Sequence, residues 1–215
     1  MTEDGREAMT GGRVFADITM SLDGFITGPN DSVELPIGEG GDRLHQWIYD
    51  QASWRERHGQ EGGLTGSDDD LIGEAFARTG VYVMGRRMFA HGEGPWGENP
   101  PFHGPVFVLT HQVREPLVKE GGTTFTFVTD GIERALERAR AAAGDKDVSI
   151  AGGANVIRQY LEAGLLDEIE IHLVPVLVGD GVRLFERLGT EPIELEITRV
   201  IEGPGVIHLR LRTVK

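Results

Sequence analysis

The chain has 215 residues, with 21 basic against 35 acidic side chains and a formal net charge of −14 at pH 7, which argues against nucleic acid or an anionic membrane as the main partner. It contains no cysteine, which excludes disulfides, thiolate metal sites and a cysteine nucleophile. With 39% hydrophobic residues, no apolar run near the ~18 residues of a membrane span and no signal-peptide core, the sequence predicts a soluble, cytoplasmic globular protein.

The first forty residues predict a tail, a strand and a long loop. Residues 1–12 are polar and glycine-rich, so we expect a disordered tail followed by a single domain over 13–215. Apolar residues alternate over 13–20 and predict the first strand. Asp23-Gly24 indicates a hairpin-like turn, and residues 29–42 form a long loop of the kind that is often functional.

Two helices are predicted between residues 44 and 79. Leu44, Trp47, Ile48 and Ala52 define the apolar face of the first helix. Ser67 is a suitable N-cap for the second, over 68–79, whose first turn carries three aspartates where the helix dipole favours them. The same triplet is compatible with a divalent cation, but helix-start chemistry accounts for it, and we predict no metal site.

Strands and helices alternate through the middle of the chain. Short apolar strands are predicted at 81–84, 106–109, 125–128 and 148–151. Helical patterns follow the first, third and fourth of these strands, whereas residues 91–105, rich in proline and glycine, predict a shaped loop. Repeated strand–helix units indicate a mainly parallel sheet with helices on both faces.

The C-terminal part has a different pattern. Residues 169–174, 193–198 and 207–212 each alternate apolar and polar side chains. This alternation is typical of antiparallel strands with one face in solvent. We therefore expect antiparallel strands to close one edge of the sheet, with His172 and His208 among the polar side chains on the solvent face.

A glycine pair marks the clearest candidate binding site. Gly152-Gly153 lies between an apolar strand and a helical pattern in which Val156, Ile157 and Tyr160 share one face. Glycines allow a bulky group to approach the backbone, and the N–H groups of the helix's first turn favour an anion. A tight strand-to-helix turn with nothing bound explains the same residues equally well.

Two arginines open another helix. Arg86 and Arg87 follow Gly85 at the end of a predicted strand, although the helix dipole disfavours cations at that end. A bound anion would reverse that argument. The alternative is that both side chains are simply solvated beside an acidic surface.

Several segments together resemble the dihydrofolate reductase fold. They are Met84-Gly85-Arg86-Arg87-Met88-Phe89, Val108-Leu109-Thr110-His111 and Ala151-Gly152-Gly153-Ala154-Asn155. With Ser21-Leu22-Asp23-Gly24-Phe25-Ile26, Leu165-Leu166-Asp167-Glu168 and Pro175-Val176-Leu177-Val178-Gly179-Asp180-Gly181, they are most similar to the branch containing the C-terminal reductase domain of riboflavin-biosynthesis deaminase/reductases. The resemblance covers roughly residues 13–212. It implies a three-layer α/β/α fold with a mainly parallel mixed sheet and antiparallel C-terminal strands.

The resemblance also implies a cofactor, NADPH, lying across the carboxyl ends of the parallel strands. It implies that Gly85, Arg86 and Arg87 hold the adenosine phosphates and that Thr110 and His111 take the 2′-phosphate. Gly152, Gly153, Ala154, Asn155 and Val156 would hold the pyrophosphate. Ala16 and Ile18 would line the nicotinamide side, and Gly28 would belong to the loop that closes over it.

On the substrate side, the resemblance leaves the identity of the substrate open. Asp42 and Asp50 lie only near the ends of the helix on which dihydrofolate reductases carry their pterin-binding acid. Where riboflavin-pathway reductases carry Asp-Asp-Pro, this chain has Glu98-Asn99-Pro100. We take Asp23 as the candidate catalytic residue, with a turn-forming role as the alternative. Trp96 and Phe102 are candidate walls of the substrate site, with a core role as the alternative.

The function that follows is an NADPH-dependent reductase, transferring a hydride to a small heterocyclic or carbonyl/imine substrate. Two alternatives remain at this stage: a non-catalytic nucleotide-binding regulatory module, and a flavin-binding protein on the same fold. The resemblance further implies a homodimer.

Overall fold

A computed structural model describes residues 11–214. The strands are β1 (Val14–Ser21), β2 (Phe25–Thr27), β3 (Thr79–Gly85), β4 (Pro105–Leu109), β5 (Leu117–Val118), β6 (Thr124–Val128), β7 (Asp147–Gly152), β8 (Glu168–Val174), β9 (Val182–Arg183), β10 (Leu195–Gly203) and β11 (Val206–Thr213). The helices are α1 (Gln46–Tyr49), α2 (Ala52–Arg57), α3 (Ser67–Arg78), α4 (Arg86–Trp96), α5 (Ile132–Ala143) and α6 (Ala154–Glu162), with 3₁₀ turns at Gly41–Leu44 and Glu120–Gly122.

One mixed sheet organises the described residues, in the order β10-β11-β8-β1-β7-β3-β4-β6-β5. The strands from β8 to β6 in this order run parallel, which confirms the mainly parallel sheet. The hairpin of β10 and β11 is antiparallel and closes one edge, as expected. The strand β8 differs from the prediction, because it runs parallel to β1 and only its other side meets an antiparallel neighbour.

Helices cover both faces of the sheet, and each face has its own apolar core. On one face, Ala139 of α5 and Ile157 of α6 pack with Val83 and Ile150 of the central strands. On the other face, Phe89 of α4 packs on β3, β4 and β6, while a smaller cluster around Trp47 lies beside α3. The alternation of side chains along each strand decides which face each residue reaches.

The first helical region is broken up, contrary to the single helix expected around Trp47. The chain there forms a 3₁₀ turn and the two short helices α1 and α2, because Gln51 is extended (φ −75°, ψ 139°) and bridges to Leu64. The next helix, α3, begins at Ser67 itself, so its N-cap is Gly66 instead of the predicted serine. Its acidic first turn is present as expected.

Two further expectations about local structure are corrected. The helix α4 continues to Trp96 and includes Pro95, so the predicted loop over 91–105 begins later than expected. The turn at Asp23-Gly24 exists, with Gly24 at φ 90°, but the following strand β2 pairs with β9 and not with β1. The predicted tail falls mostly on residues 1–10, which lie outside the described residues.

The polar side of β8 and His208 of β11 are not in solvent, which corrects the expected wet face there, whereas Glu196 and Thr198 of β10 are exposed as expected. Glu168, Glu170, His172 and His208 are each at most 4% exposed. The segment from Trp47 to α3 covers this face, a long-range arrangement that strand alternation does not reveal. In the part of the chain that the structure describes, no helix is long and apolar enough to cross a membrane.

Candidate functional site

Two helix N-termini meet at the carboxyl edge of the sheet. The neighbouring strands β3 and β7 lead directly into α4 and α6, whose N-caps are Gly85 and Gly153. Neither helix has a side-chain cap or an acidic residue in its first turn, so orphan N–H groups and the positive end of each dipole face outward. This edge therefore has the electrostatics of an anion site.

The glycines let these two turns approach each other. A Cβ on Gly85 would lie 2.9 Å from Cγ2 of Val156, and a Cβ on Gly152 would lie 3.5 Å from Sδ of Met88. By contrast, a Cβ on Gly153 would meet no atom within 4 Å, so the space beside the first turn of α6 is open. The Gly152-Gly153 peptide bond is cis.

The five residues of the glycine turn do not contribute equally. Ala154 and Val156 are buried in the core, so their side chains are not available to a ligand. The N–H of Val156 already donates to the Gly153 carbonyl (3.0 Å). Among the described residues, no acceptor is found for the N–H groups of Ala154 and Asn155, which leaves these two donors for a bound group.

Two arginine side chains lie beside the same edge of the sheet. The side chains of Arg86 and Arg87 are exposed, and Arg86 forms no ion pair with any described residue. Arg87 pairs with Asp31 of the long loop, whose other carboxylate oxygen lies 3.5 Å from His91 Nδ1. Asp31 thus ties the loop to the first turns of α4.

The carboxyl end of β4 lies at the same edge of the sheet. Gly85 pairs in register with Leu109, so Thr110 and the exposed His111 continue the chain next to the start of α4. The backbone N–H of Thr110 donates to the Val128 carbonyl (3.0 Å), and its hydroxyl oxygen accepts from the N–H of Gln112 (3.1 Å). The strand ends β7, β3 and β4 therefore stand side by side, as the sequence predicted.

The pairing of β1 and β7 ends before the carboxyl edge of the sheet, and we call the space between their unpaired ends the β1–β7 cleft. The strand β1 pairs with β7 only from Val14 to Ala16, although it pairs with β8 from Phe15 to Ser21. From Asp17 onward, the β7 side of β1 has no strand partner, and neighbouring strands that separate at a carboxyl end create a ligand crevice. Ile18 lies along this open edge, whereas Ala16 is fully buried below it.

The long loop that contains Gly28 folds back on itself beside this cleft. Gly28 donates to the Ile37 carbonyl (2.9 Å), and a Cβ on Gly28 would lie 1.8 Å from the Glu39 carbonyl oxygen. Any side chain at this position would break the crossing of the two backbone segments. Gly28 is thus required by the loop's own shape.

Asp23, the predicted catalytic residue, has the turn-forming role in this structure. Its carboxylate accepts from the Ser21 hydroxyl (2.6 Å) and from the N–H groups of Val178 (3.1 Å) and Gly179 (2.8 Å). Partial desolvation raises the pKa of Asp23, but these hydrogen bonds outweigh it and lower the pKa to about 2. A carboxylate bound in this way is not a proton donor near neutral pH.

Trp96 and Phe102, the predicted substrate walls, lie elsewhere. Trp96 ends α4, which runs back across the sheet, and Phe102 precedes β4, so both are near the amino ends of the strands. Their rings are 4.9 Å apart, and both pack on Phe125 (6.1 and 5.9 Å). The structure gives them a core role and does not bring them to the edge where the glycine turns meet.

Sequence reasoning missed one polar residue at the cleft. Asp17 is the one charged residue of β1, and its side chain is 29% exposed where β1 stops pairing with β7. An acidic residue in the middle of a central strand was the signal available in the sequence. Two cavities of about 500 and 380 Å³ lie at the opposite, amino-terminal edge of the sheet and are not part of this site.

Fold and site together define a class: an α/β protein of the dihydrofolate reductase-like fold, with two helix N-termini that lack side-chain caps at the carboxyl edge of its sheet. The chain belongs to the RibD C-terminal domain family, whose sequence profile matches residues 13–209.

Individual relatives agree with this assignment. The uncharacterised protein YyaP of Bacillus subtilis is 25% identical over 177 residues, which is 80% of either chain. A protein of Shewanella sp. PV-4 named for riboflavin biosynthesis has a similar structure, with a TM-score of 0.68, 21% identity and coverage of 94% of this chain and 99% of that one. The dihydrofolate reductase of Enterococcus faecalis, solved in complex with NADP(H), has a TM-score of 0.55 at 14% identity, with coverage of 95% and 98%.

Proposed function

We propose that this protein is an NADPH-dependent reductase of a small heterocyclic or carbonyl/imine substrate. One observation carries the proposal: two uncapped helix N-termini on neighbouring strands flank an open space beside Gly153, with the arginines of α4 next to it. When bound, a reduced nicotinamide supplies a hydride, and the protein supplies position and electrostatics. Membership of the RibD C-terminal domain family supports the same reading.

The residues present fit such a cofactor. The free N–H groups of Ala154 and Asn155 and the open space at Gly153 suit a pyrophosphate. Arg86 and Arg87 are planar cations suited to bidentate phosphate contacts, and Thr110 and His111 stand beside them at the end of β4. A carboxylate at this position would favour the ribose hydroxyl of NADH, whereas a cation favours the 2′-phosphate of NADPH.

The cleft between β1 and β7 would take the nicotinamide half. Ile18 lies on its open edge, and the loop around Gly28, held to α4 through Asp31, would exclude water from it. Ala16 would contribute only the packing beneath the cleft, since its side chain is fully buried.

Binding of NADPH and NADH to an Arg86→Ala variant tests the proposal. We expect the affinity for NADPH to fall by roughly ten- to a hundredfold, because a hydrogen bond to a charged group contributes about 1.5–3 kcal/mol. The affinity for NADH should change much less. Nicotinamide fluorescence reports both, and Arg212→Ala, an exposed arginine of β11 at the other end of the sheet, is the matched control.

Turnover separates the reductase from the two alternatives. A panel of dihydropterins, aminopyrimidines and quinones, followed by loss of nicotinamide absorbance, should contain at least one substrate. Tight NADPH binding without turnover of any compound would instead indicate a regulatory module, and a yellow purified protein would indicate a bound flavin. Equal affinities for NADPH and NADH, or binding of neither, would contradict the roles given to Arg86, Arg87 and Thr110.

We also propose that the protein forms a homodimer. The edge strand β10 leaves one side of its backbone unpaired among the described strands, and Ile197 and Val200 on it are 63% and 57% exposed. An exposed edge with apolar side chains is a surface on which a second copy can pair.

A further inference from the structure

Four titratable side chains form one hydrogen-bonded row on the face of the sheet that α3 covers. At one end, Asp17 Oδ1 of β1 lies 2.8 Å from His172 Nε2 of β8. In the middle, His172 Nδ1 lies 2.7 Å from His208 Nδ1 of β11. At the other end, His208 Nε2 lies 3.3 Å from Asp68 Oδ1 of α3. The row joins the open edge of β1 to the first turn of α3.

Asp17 is more exposed to solvent than the other three members of the row. The side chain of Asp17 is 29% exposed, whereas those of His172, His208 and Asp68 are 6%, 2% and 8% exposed. Trp47 packs against both imidazoles, with its ring centroid 4.7 and 5.0 Å from theirs. Asp17, which follows the last β1 residue paired with β7, is therefore the most exposed member of the row.

The hydrogen bonds determine how many protons the row holds. Three hydrogen bonds that run from carboxylate to ring, ring to ring and ring to carboxylate require three protons, and ionised carboxylates contribute none. The two imidazoles must then carry three protons, one more than two neutral rings carry. The pair His172–His208 thus stores one transferable proton.

The stored proton resides next to Asp17. Burial lowers the pKa of His172, but the Asp17 carboxylate outweighs burial, and the pKa of His172 is raised above its ordinary value of 6.5. Burial lowers the pKa of His208, and the charge on His172 lowers it further. His172 is therefore the imidazolium, and His208 is the neutral ring that accepts its second hydrogen bond.

Other charged groups around the row also affect the pKa values of Asp17 and His172. Arg78 of α3 acts on Asp17 in the same direction as His172, since both lower the pKa of that carboxyl group against the cost of its burial. Glu170 of β8 and Asp68 favour the charged form of His172. Both carboxylate oxygens of Glu170 accept hydrogen bonds from Arg210 of β11 (3.1 and 3.2 Å). Burial lowers the pKa of His45, which precedes α1, and the charge of His172 lowers it further.

We propose that Asp17, ionised at rest, relays the proton of the reduction to the substrate, taking it from the reservoir formed by His172, His208 and Asp68. This inference rests on the proposed reductase function. Asp17 would be a catalytic residue, since it is the exposed member of the row and lies where β1 stops pairing with β7, whereas the two histidines and Asp68 act through it as positioning residues.

In the proposed step, one proton moves from His172 through Asp17 to the substrate. The Nε2–H bond of His172 breaks as Oδ1 of Asp17 takes the proton, and the Asp17 O–H bond then breaks as the substrate nitrogen or oxygen takes it. The electron pair that the substrate gains comes from the reduced nicotinamide of the proposed function. The histidine pair is left neutral, and a solvent proton recharges it through the exposed Asp17 after product leaves.

The reservoir can be tested on the full chain without cofactor or substrate. Imidazole NMR with isotope-labelled histidine should show one of the two buried rings with a pKa above 6.5 and the other with a pKa below 6.5. Asp17→Asn should lower the pKa of the protonated ring, because the carboxylate that outweighs burial is gone. Asp69→Asn, a neighbouring buried carboxylate that accepts from the Ser53 N–H instead, should leave the titration unchanged.

Two NMR results would overturn the reservoir. Both rings neutral at pH 7 would mean that no proton is stored, and an unchanged titration in Asp17→Asn would mean that Asp17 does not hold it. Signals of His111, exposed at the end of β4, serve as the internal reference and should be the same in all variants.

Delivery is tested with NADPH and the panel compound reduced fastest. Asp17→Asn should bind NADPH with unchanged affinity but reduce the compound roughly 10²–10⁴ times more slowly, the usual contribution of a general acid. In the parent protein the rate should fall only as pH rises through the raised pKa of His172. His172→Gln, which still offers an N–H to Asp17 but no titrating ring, should move that fall to acidic pH.

The outcomes distinguish this proposal from the proposed function. If no panel compound is reduced by the parent protein, the reductase function and the delivery by Asp17 both fail, and NMR alone still decides whether the reservoir exists. If the parent protein is active and Asp17→Asn is equally active, or the pH profile of His172→Gln is unchanged, the reductase stands and this inference is wrong.

Discussion

Asp23 illustrates how one carboxylate can carry two interpretations, a catalytic group or a turn former. It follows the first strand and lies next to Gly24, where a catalytic acid and a turn former look the same in sequence. In the structure, both carboxylate oxygens of Asp23 accept hydrogen bonds. Two of these bonds come from the backbone N–H groups of Val178 and Gly179, in the segment that precedes β9. Its effect should therefore be on stability.

We expect Asp23→Asn to lower the free energy of unfolding by about 1 kcal/mol, because an amide accepts these hydrogen bonds less well than a carboxylate. The pKa of Asp23 is about 2 in the folded chain against an ordinary 3.8, so its stabilisation is present above pH 4 and is lost as pH falls toward 2. Urea unfolding at several pH values should show the gap between variant and parent closing over this range. Asp180→Asn, which weakens only the single bond that Asp180 accepts from the Gly181 N–H, is the control, and a gap independent of pH would contradict the assignment.

Two glycines of the candidate site should respond to alanine in opposite ways. At Gly153 there is open space, so Gly153→Ala should leave thermal stability nearly unchanged. The added methyl group would occupy the space through which a phosphate approaches the N–H groups of α6, and NADPH binding should weaken by roughly tenfold or more. Fluorescence titration and thermal unfolding together check this.

Gly85→Ala is the counterpart, because its Cβ would lie 2.9 Å from a methyl group of the buried Val156. Overpacking of this kind costs about 1–3 kcal/mol, so this variant should lose stability as well. Unchanged NADPH affinity in Gly153→Ala would argue that the open space beside α6 is not the phosphate site.

At the scale of elements, α4 provides the clearest test of packing. The helix connects the candidate site at its start to the aromatic cluster of Trp96 and Phe102 at its end. A Cβ on Gly92 would lie 2.2 Å from the Trp96 ring, whereas a Cβ on Gly94 would meet nothing within 4 Å.

We expect Gly92→Ala to lower stability by about 1–3 kcal/mol through overpacking. Gly94→Ala should be neutral or up to about 1 kcal/mol more stable, since alanine is the better helix former. Differential scanning calorimetry of the pair gives the comparison within one helix. Equal stability of the two variants would show that Trp96 is free to move, contrary to its packing between Phe102 and Phe125.

The whole molecule is strongly acidic, yet its proposed ligand is an anion. The charges near the candidate site are local: Arg86 and Arg87 lie at the start of α4, beside the N-terminus of α6, although the net charge of the chain is −14. The edge strand β10 raises a different question at this scale, which is whether a second copy covers it.

For the proposed homodimer, we expect light scattering to give twice the chain mass of 23.5 kDa. Val200→Lys should halve that value while keeping the fold, because a charge on an edge strand opposes pairing with another strand. Val113→Lys is the control, because it makes the same substitution at an 89% exposed valine that lies outside β10. A monomeric parent protein would refute the dimer.

Local patterns predicted much of the fold. Apolar runs and the glycines after them placed β3, β4, β6 and β7 within a few residues, because strand formation and strand-to-helix turns depend on neighbours in sequence. The glycine turn and the two arginines were also predicted, since helix-start electrostatics is a property of a few consecutive residues. Their convergence followed from the rule that parallel strands end on one edge.

The rest was decided between residues far apart in sequence. His172 and His208 alternate with apolar residues exactly as solvent-facing positions do, and only the segment from Trp47 to α3, lying over them, turns them into a buried pair. Trp96 and Phe102 follow the same logic, since their partner Phe125 comes from β6. Asp17 acquires its partner from β8, 155 residues away.

The sequence by itself thus determined the elements, the parallel core and the chemistry available at each strand end, because these depend on short-range sterics, periodicity and helix dipoles. Tertiary structure alone decided which polar side chains are buried, which carboxylates are already occupied by hydrogen bonds and which member of the buried row stays exposed. The physical reason is that burial and proton sharing depend on which elements pack together, and no single segment carries that information.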